Sequence, residues 1–213
     1  FYALPQSPQL FKQILMISGF DRYFQLARCL RDEDLRADRQ PEHTQIDLEM
    51  SFVTQDDVFA VAEGMMQFAF KETLGVHIPT PFPRYPYDQI MSEYGSDKPD
   101  LRFGMKLIDF SSAFVGSEFK VFADALATGG VIKGVVVSGQ AGLSRKQLEE
   151  IEDEAKLAGA KGLAWIAFAE EIKSPIKKFL TDEVLKKLRE IGGIKDGDLL
   201  LLGAGKKLST EGI

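Results

Sequence analysis

Apolar residues recur along the first half of the chain with two different periods. Leu10, Phe11, Ile14, Leu15 and Ile17 follow the spacing of a helical stripe, which stops at Gly19. Ser7-Pro8 just ahead of it reads as a cap followed by a first-turn proline, and the polar face carries Gln9, Lys12, Gln13 and Met16. An apolar run from Tyr23 to Leu30 then predicts a strand. From Gln45 to Val53 apolar and polar residues alternate, which predicts a second strand. Gln45, Asp47, Glu49 and Ser51 share one face of it, and Ile46, Leu48, Met50 and Phe52 share the other. The apolar face is expected to pack and the opposite face to carry acids and amides. In the first strand the same period groups Ala27, Cys29, Arg31 and Glu33, so small side chains leave room for a ligand beside two charged ones. Thr54, with Asp57 three residues on, opens a helix running through Phe70, in which Val58, Val61, Met65, Phe68 and Ala69 recur at helical spacing.

The second half has a different style. "PTPFPRYP" at 79–86 marks an extended, irregular connection, and "YGSDKPDLRFGM" reads as a loop and short strand. From about Ser111 helices and strands alternate. Helix is predicted over Ser117–Ala127, strand over Val131–Val137, helix over Ser144–Ala158 and strand over Gly162–Phe168. Helices follow from Ser174 to Ile191, then a strand over Leu199–Leu202. Ser144 and Gln147 form a capping box, and Gly159 ends that helix. Such alternation implies a compact α/β unit of roughly a hundred residues.

Composition narrows the chemistry. With 45% hydrophobic and 27% charged residues, the chain reads as an ordinary globular protein able to bury a core. A net charge of −6 supplies no global basic field for DNA, so anion binding has to be local. The single cysteine, Cys29, rules out an internal disulfide framework, and His43 and His77 are too few to build a zinc cluster with it. This pattern, without an apolar run of membrane-spanning length or a signal peptide, points to the cytoplasm. The chain starts at Phe1 rather than Met, as an excerpt of a longer polypeptide would.

Between the two predicted strands lies "RDEDLRADRQPEHTQ", Arg31 to Gln45, whose first nine residues include seven charged ones. Charge pattern alone leaves two readings open, a solvated hairpin tip and a grip on something ionic.

"QSPQLFKQ", "FDRYFQLARCLRDEDLRADRQPEHTQIDLEMSFV" and "YGSDKPDLRFGM" together resemble the catalytic core of the bacterial-type aspartyl-tRNA synthetases, with the Arg31 hairpin as the second motif of class II. The resemblance runs through residues 1–108. "GLAWIAFAE" and "GDLLLLGAG" resemble the insertion module that these enzymes share with the B subunit of the tRNA-dependent amidotransferase. The fold so implied is α+β. Residues 1–110 would be part of a class II antiparallel sheet with flanking helices, 111–205 a separate small α/β insertion domain, and 206–213 a return toward the catalytic domain.

The same resemblance implies a ligase that joins L-aspartate to ATP and passes the aspartyl group to the terminal adenosine of tRNA. It assigns Arg31 to the α-phosphate and the substrate carboxylate, and Asp32, Glu33, Gln40 and His43 to ATP. Glu33 would accept from the adenine amino group, and His43 stands where the family usually stacks a phenylalanine on adenine. Gln9, Lys12, Gln45 and Asp47 fall to aspartate. Lys12 would pair its side-chain carboxylate, Gln9 orient its ammonium group, and Asp47 hold Lys12. Asp34, Arg36 and Arg39 at the loop tip would meet the tRNA acceptor end.

The family's anticodon domain, first and third motifs, aspartate-sensing loop, Mg²⁺-binding acids and second carboxylate-binding arginine have no counterpart here. The fragment alone is therefore expected to be inactive, its parent a homodimer, and any Mg²⁺ held by residues outside this chain. A different class of function remains beside this one, a binding module centred on the insertion domain. An amidotransferase subunit is disfavoured, since the Arg31 hairpin has no place in it. Whether asparagine tRNA is also charged is not written in these residues.

Overall fold

Aromatic and aliphatic residues suited to a pleated surface form β1 (Arg22–Leu30), which pairs antiparallel with β2 (Glu42–Met50) in the computed structural model. That model describes residues 6–32 and 40–206. Gln25 faces Asp47, Ala27 faces Gln45, and Cys29 faces His43. Ser51 N–H donates to Asp21 O at 2.9 Å at one end of the ladder, and Arg31 N–H donates to Pro41 O at 2.7 Å at the other. Pro41 has no N–H to return that bond, so the ladder closes there. Among the described residues this sheet has two strands. The remaining strands among the described residues pair with one another in a separate sheet.

The helix α1 (Gln9–Ile17) packs against both strands. It begins one residue later than expected: Pro8 occupies the cap position without a side-chain cap, and Ser7 does not fill that role. Beyond Ile17 the chain turns through Gly19 at φ 95°, where Phe20 N–H donates to Leu15 O at 3.1 Å. In this orientation the side of the helix that carries Lys12 is the covered one. Lys12 is buried, whereas Leu10, Phe11, Ile14 and Ile17 are exposed, as are Phe24 (73%), Leu26 and Ile46 on the apolar face of the strand pair. Lysine is drawn to carboxylates on the polar sheet face, and residues 10, 14 and 17 then fall on the far side of the helix.

Phe52, at φ 58°, turns the chain from β2 into α2 (Gln55–Leu74). The expected cap forms there, with Thr54 N–H donating to Asp57 Oδ2 at 2.8 Å. The helix runs four residues past Phe70 and ends at Gly75, φ 68°.

The chain divides into two compact units at Pro83/Arg84, inside the proline-rich connection. The second unit holds α3 (Tyr87–Tyr94), β3 (Ile108–Asp109), α4 (Lys120–Ala127), β4 (Val131–Val137) and α5 (Arg145–Leu157). It continues with β5 (Ala164–Phe168), β6 (Ile172–Lys173), α6 (Asp182–Gly192) and β7 (Leu199–Gly205). The short strand expected near residue 102 is a 3-10 turn, Leu101–Phe103, capped by Asp100. Residues before 110 join this unit through Leu107 N–H on Glu93 O at 2.7 Å. Buried Lys133 adds its ammonium, which donates to Ser92 O at 2.6 Å and to Ser92 Oγ at 2.7 Å.

The strand order is β3-β4-β7-β5-β6, with every neighbouring pair antiparallel. Because β7 runs antiparallel to both β4 and β5, those two are parallel to each other, joined through α5 and split by the last of the described strands. Ile132, Ile166, Leu200 and Leu202 meet Phe110, Phe114, Phe122 and Leu188 in one core. On the opposite sheet face Leu148 of α5 packs with Ala167 and Leu199. No helix among the described residues is long and apolar enough to cross a membrane.

Candidate amino-acid and nucleotide site

Alternation along β1 and β2 brings Ala27, Cys29 and Arg31 to the same face as His43, Gln45, Asp47 and Glu49, and α1 covers part of that face with Lys12. Ala27 and Cys29 are buried.

The charged centre is a lysine between two acids. Lys12 Nζ lies 3.1 Å from Asp47 Oδ1 and 3.1 Å from Glu49 Oε2. Gln45 Nε2 donates to the same Asp47 Oδ1 at 3.2 Å. Burial works against the charged form of Lys12, but hydrogen bonds to Glu49 and Asp47 outweigh it and hold the ammonium above its ordinary range. Lys12 is therefore a fixed cation at neutral pH. One positive and two negative charges leave this trio with a net charge of −1.

Two polar atoms on this face are buried and lack a hydrogen-bond partner among the described residues, Arg31 Nε and Asp47 Oδ2. A buried guanidinium N–H left unmatched is costly unless another group completes it. A donor on one side and an acceptor on the other suit a ligand carrying both an anionic oxygen and an N–H group.

The residues expected at the site fare differently. Lys12, Gln45 and Asp47 are joined by direct hydrogen bonds. Arg31 and His43 are half-buried, and His43 lies directly opposite Cys29. Gln9, Asp32 and Gln40 are exposed. Gln9 sits on the face of α1 one turn from Lys12. Glu33, Asp34, Arg36 and Arg39 lie outside the described residues. Glu49, which the period of β2 puts on this face, is the member of the cluster to which the sequence gives no part in the site. The signal that could have found it is its spacing of two from Asp47, which puts both carboxylates within reach of one lysine. No group of three or more His, Cys, Asp or Glu side chains that could hold a metal ion occurs among the described residues.

The chain is similar to known proteins over nearly all of its length. Residues 1–191 match the tRNA synthetases class II (D, K and N). An aspartate–tRNA ligase of Clostridium perfringens is 56% identical over 207 residues, covering 97% of this chain and 35% of the relative. An aspartate–tRNA(Asp/Asn) ligase of Thermoanaerobacter sp. is 57% identical over 207 residues, again 97% and 35%. One of Moorella thermoacetica is 56% identical over 205 residues, 96% of this chain and 34% of the relative. The chain thus spans about a third of the length of the curated relatives it matches. With the match extending over most of its residues, the chain belongs to the class II tRNA synthetases (D, K and N).

Proposed function

We propose that this chain is the part of an aspartate–tRNA ligase that grips both aspartate and ATP. The observation that carries the reading is the buried Lys12, held by Asp47 and facing the side of the strand pair on which Arg31 has an unmatched N–H. A lysine so held is a receptor for a carboxylate, and an arginine on the same face is one for phosphate. Residues 1–110 act as part of the catalytic domain and 111–205 as its insertion module.

In the first step the ionised α-carboxylate of aspartate attacks the α-phosphorus of ATP. A carboxyl–phosphate bond forms, the bond to the oxygen bridging the α- and β-phosphorus atoms breaks, and pyrophosphate leaves with that electron pair. No proton has to move, so catalysis rests on placement and charge stabilisation. Arg31 bridges the attacking carboxylate and the α-phosphate. Lys12 takes the side-chain carboxylate, Gln9 orients the ammonium group, and Gln45 with Asp47 keeps Lys12 in place. An amide in place of that carboxylate would leave Lys12 poorly matched, which is the basis for rejecting asparagine. Glu33 accepts from the adenine amino group, His43 stacks on the base, and Asp32 and Gln40 complete the nucleotide contacts. In the second step the oxygen of the adenosine hydroxyl at the tRNA end bonds to the aspartyl carbonyl carbon, the carboxyl–phosphate bond breaks, AMP leaves with that electron pair, and the hydroxyl proton is released. Asp34, Arg36 and Arg39 contact that acceptor end. Mg²⁺ would neutralise phosphate charge from residues elsewhere in the full-length protein, a cytoplasmic homodimer. The relatives' names divide between Asp and Asp/Asn ligases at nearly equal identity, so overall similarity favours neither tRNA range.

The test is aspartate-dependent exchange of pyrophosphate into ATP by the full-length protein. Arg31→Ala is expected to lower the rate on the order of 10² or more, as removal of a transition-state charge partner does. Unchanged exchange would overturn the assignment, and full activity from residues 1–213 alone would show that the site needs no further motif.

A further inference from the structure

Lys12 has two carboxylates, and the two are not equivalent. Asp47 is short, its side chain is 9% exposed, and the oxygen that meets Lys12 also accepts from Gln45. Glu49 is one methylene longer and its side chain is 34% exposed, and the only hydrogen bond or ion pair of its carboxylate among the described residues is the one to Lys12. Breaking the Asp47 contact would strand a buried anion, whereas Glu49 can turn into water at little cost. With both acids in place, a ligand carboxylate approaching Lys12 meets two like charges around one cation.

We propose that Glu49 is a placeholder, a positioning and specificity residue whose carboxylate occupies on Lys12 the place that the side-chain carboxylate of the amino-acid substrate takes on binding. The proposal rests on the reading of this face as an aspartate site. Aspartate displaces Glu49 and leaves Asp47 where it is, so Lys12 exchanges one carboxylate for another and is never left with Asp47 alone. A neutral amide cannot compete for that position. Glu49 therefore weakens aspartate binding while making the free site less receptive to asparagine, and it keeps the buried ammonium matched when no substrate is present.

The experiment is calorimetric titration of the full-length protein with L-aspartate, L-asparagine and ATP separately, for the unaltered protein, Glu49→Gln and Lys12→Met. Glu49→Gln keeps the size and removes the charge. It is expected to tighten aspartate about two- to fivefold, the scale of a partly exposed ion pair, to improve asparagine binding, and to leave ATP unchanged. Glu49→Asp, whose shorter carboxylate draws back from Lys12, should shift aspartate in the same direction, so the proposal can be tested even if one variant folds poorly. A residue with only a structural role would not tighten the substrate. If Lys12→Met abolishes aspartate binding while Glu49→Gln and Glu49→Asp weaken it or leave it alone, the placeholder is overturned and the aspartate site stands. If Lys12→Met binds aspartate normally, the aspartate site itself is overturned, and the placeholder with it.

Discussion

In the second unit the most deeply buried side chains are Phe110, Phe114, Phe122, Phe168 and the aliphatic residues around them. In the first unit they include Lys12, Asp47, Ala27 and Cys29. The second unit turns its apolar positions inward, with Ile132, Leu188, Leu200 and Leu202 fully buried, while the first leaves Phe24, Leu26, Ile46 and the stripe of α1 exposed. The difference teaches where each unit gets its cohesion. Apolar burial over both faces of a five-stranded sheet holds the second unit together. A strand ladder and a cluster of opposite charges hold the centre of the first, an arrangement that contributes less to stability but presents matched polar groups to a ligand.

This contrast can be broken most sharply at Phe122, which stands edge-on to Phe114 at 4.7 Å and to Phe119 at 4.8 Å. Phe122→Ala should destabilise the second unit by about 3–5 kcal/mol in urea unfolding. A loss below about 1 kcal/mol would mean that this core is not what holds the unit together. Next in size is His43, which if it stacks on adenine should cost the full-length protein roughly 1–3 kcal/mol of ATP affinity on change to Ala and nothing on change to Phe. Equal dissociation constants for His, Phe and Ala would return it to an ordinary strand residue.

A smaller effect is expected at Asp198 in the second unit. Backbone N–H groups of Lys195 and Gly139 donate to its two oxygens at 2.9 and 3.0 Å and hold its carboxyl below the usual range. Its folded pKa is depressed, so its contribution is present above the unfolded value and is lost as pH falls through the folded one. Urea midpoints of the second unit should therefore fall on acidification through and below the ordinary carboxylate range. Asp198→Asn should flatten that dependence at a cost on the order of 1 kcal/mol near neutrality. The smallest change is predicted for Phe24→Ala, within about 0.5 kcal/mol in the chain of residues 1–213, since the ring is already in water. A loss comparable to that at Phe122 would erase the contrast between the units.

Local pattern was enough for much of this. Period two sorted the residues of β1 and β2 onto their correct faces, and Thr54 with Asp57 and Ser144 with Gln147 marked helix starts that the structure keeps. Val131–Val137 is a strand over the very residues its apolar run marked. These features depend on neighbours a few residues apart, whose geometry the backbone dictates. What only the tertiary structure decided is which face is covered and what comes from far away to cover it. The apolar stripe of α1 did not by itself say which side of the helix would be covered, because the orientation of that helix is set by Lys12 meeting acids 35 and 37 residues later. Alternating helices and strands likewise could not tell that β7, last of the described strands, lies between β4 and β5 and makes every neighbouring pair antiparallel. A period states which residues share a face; only a contact between distant segments, with its cost of desolvating charge and its gain from pairing it, selects the face that becomes the site.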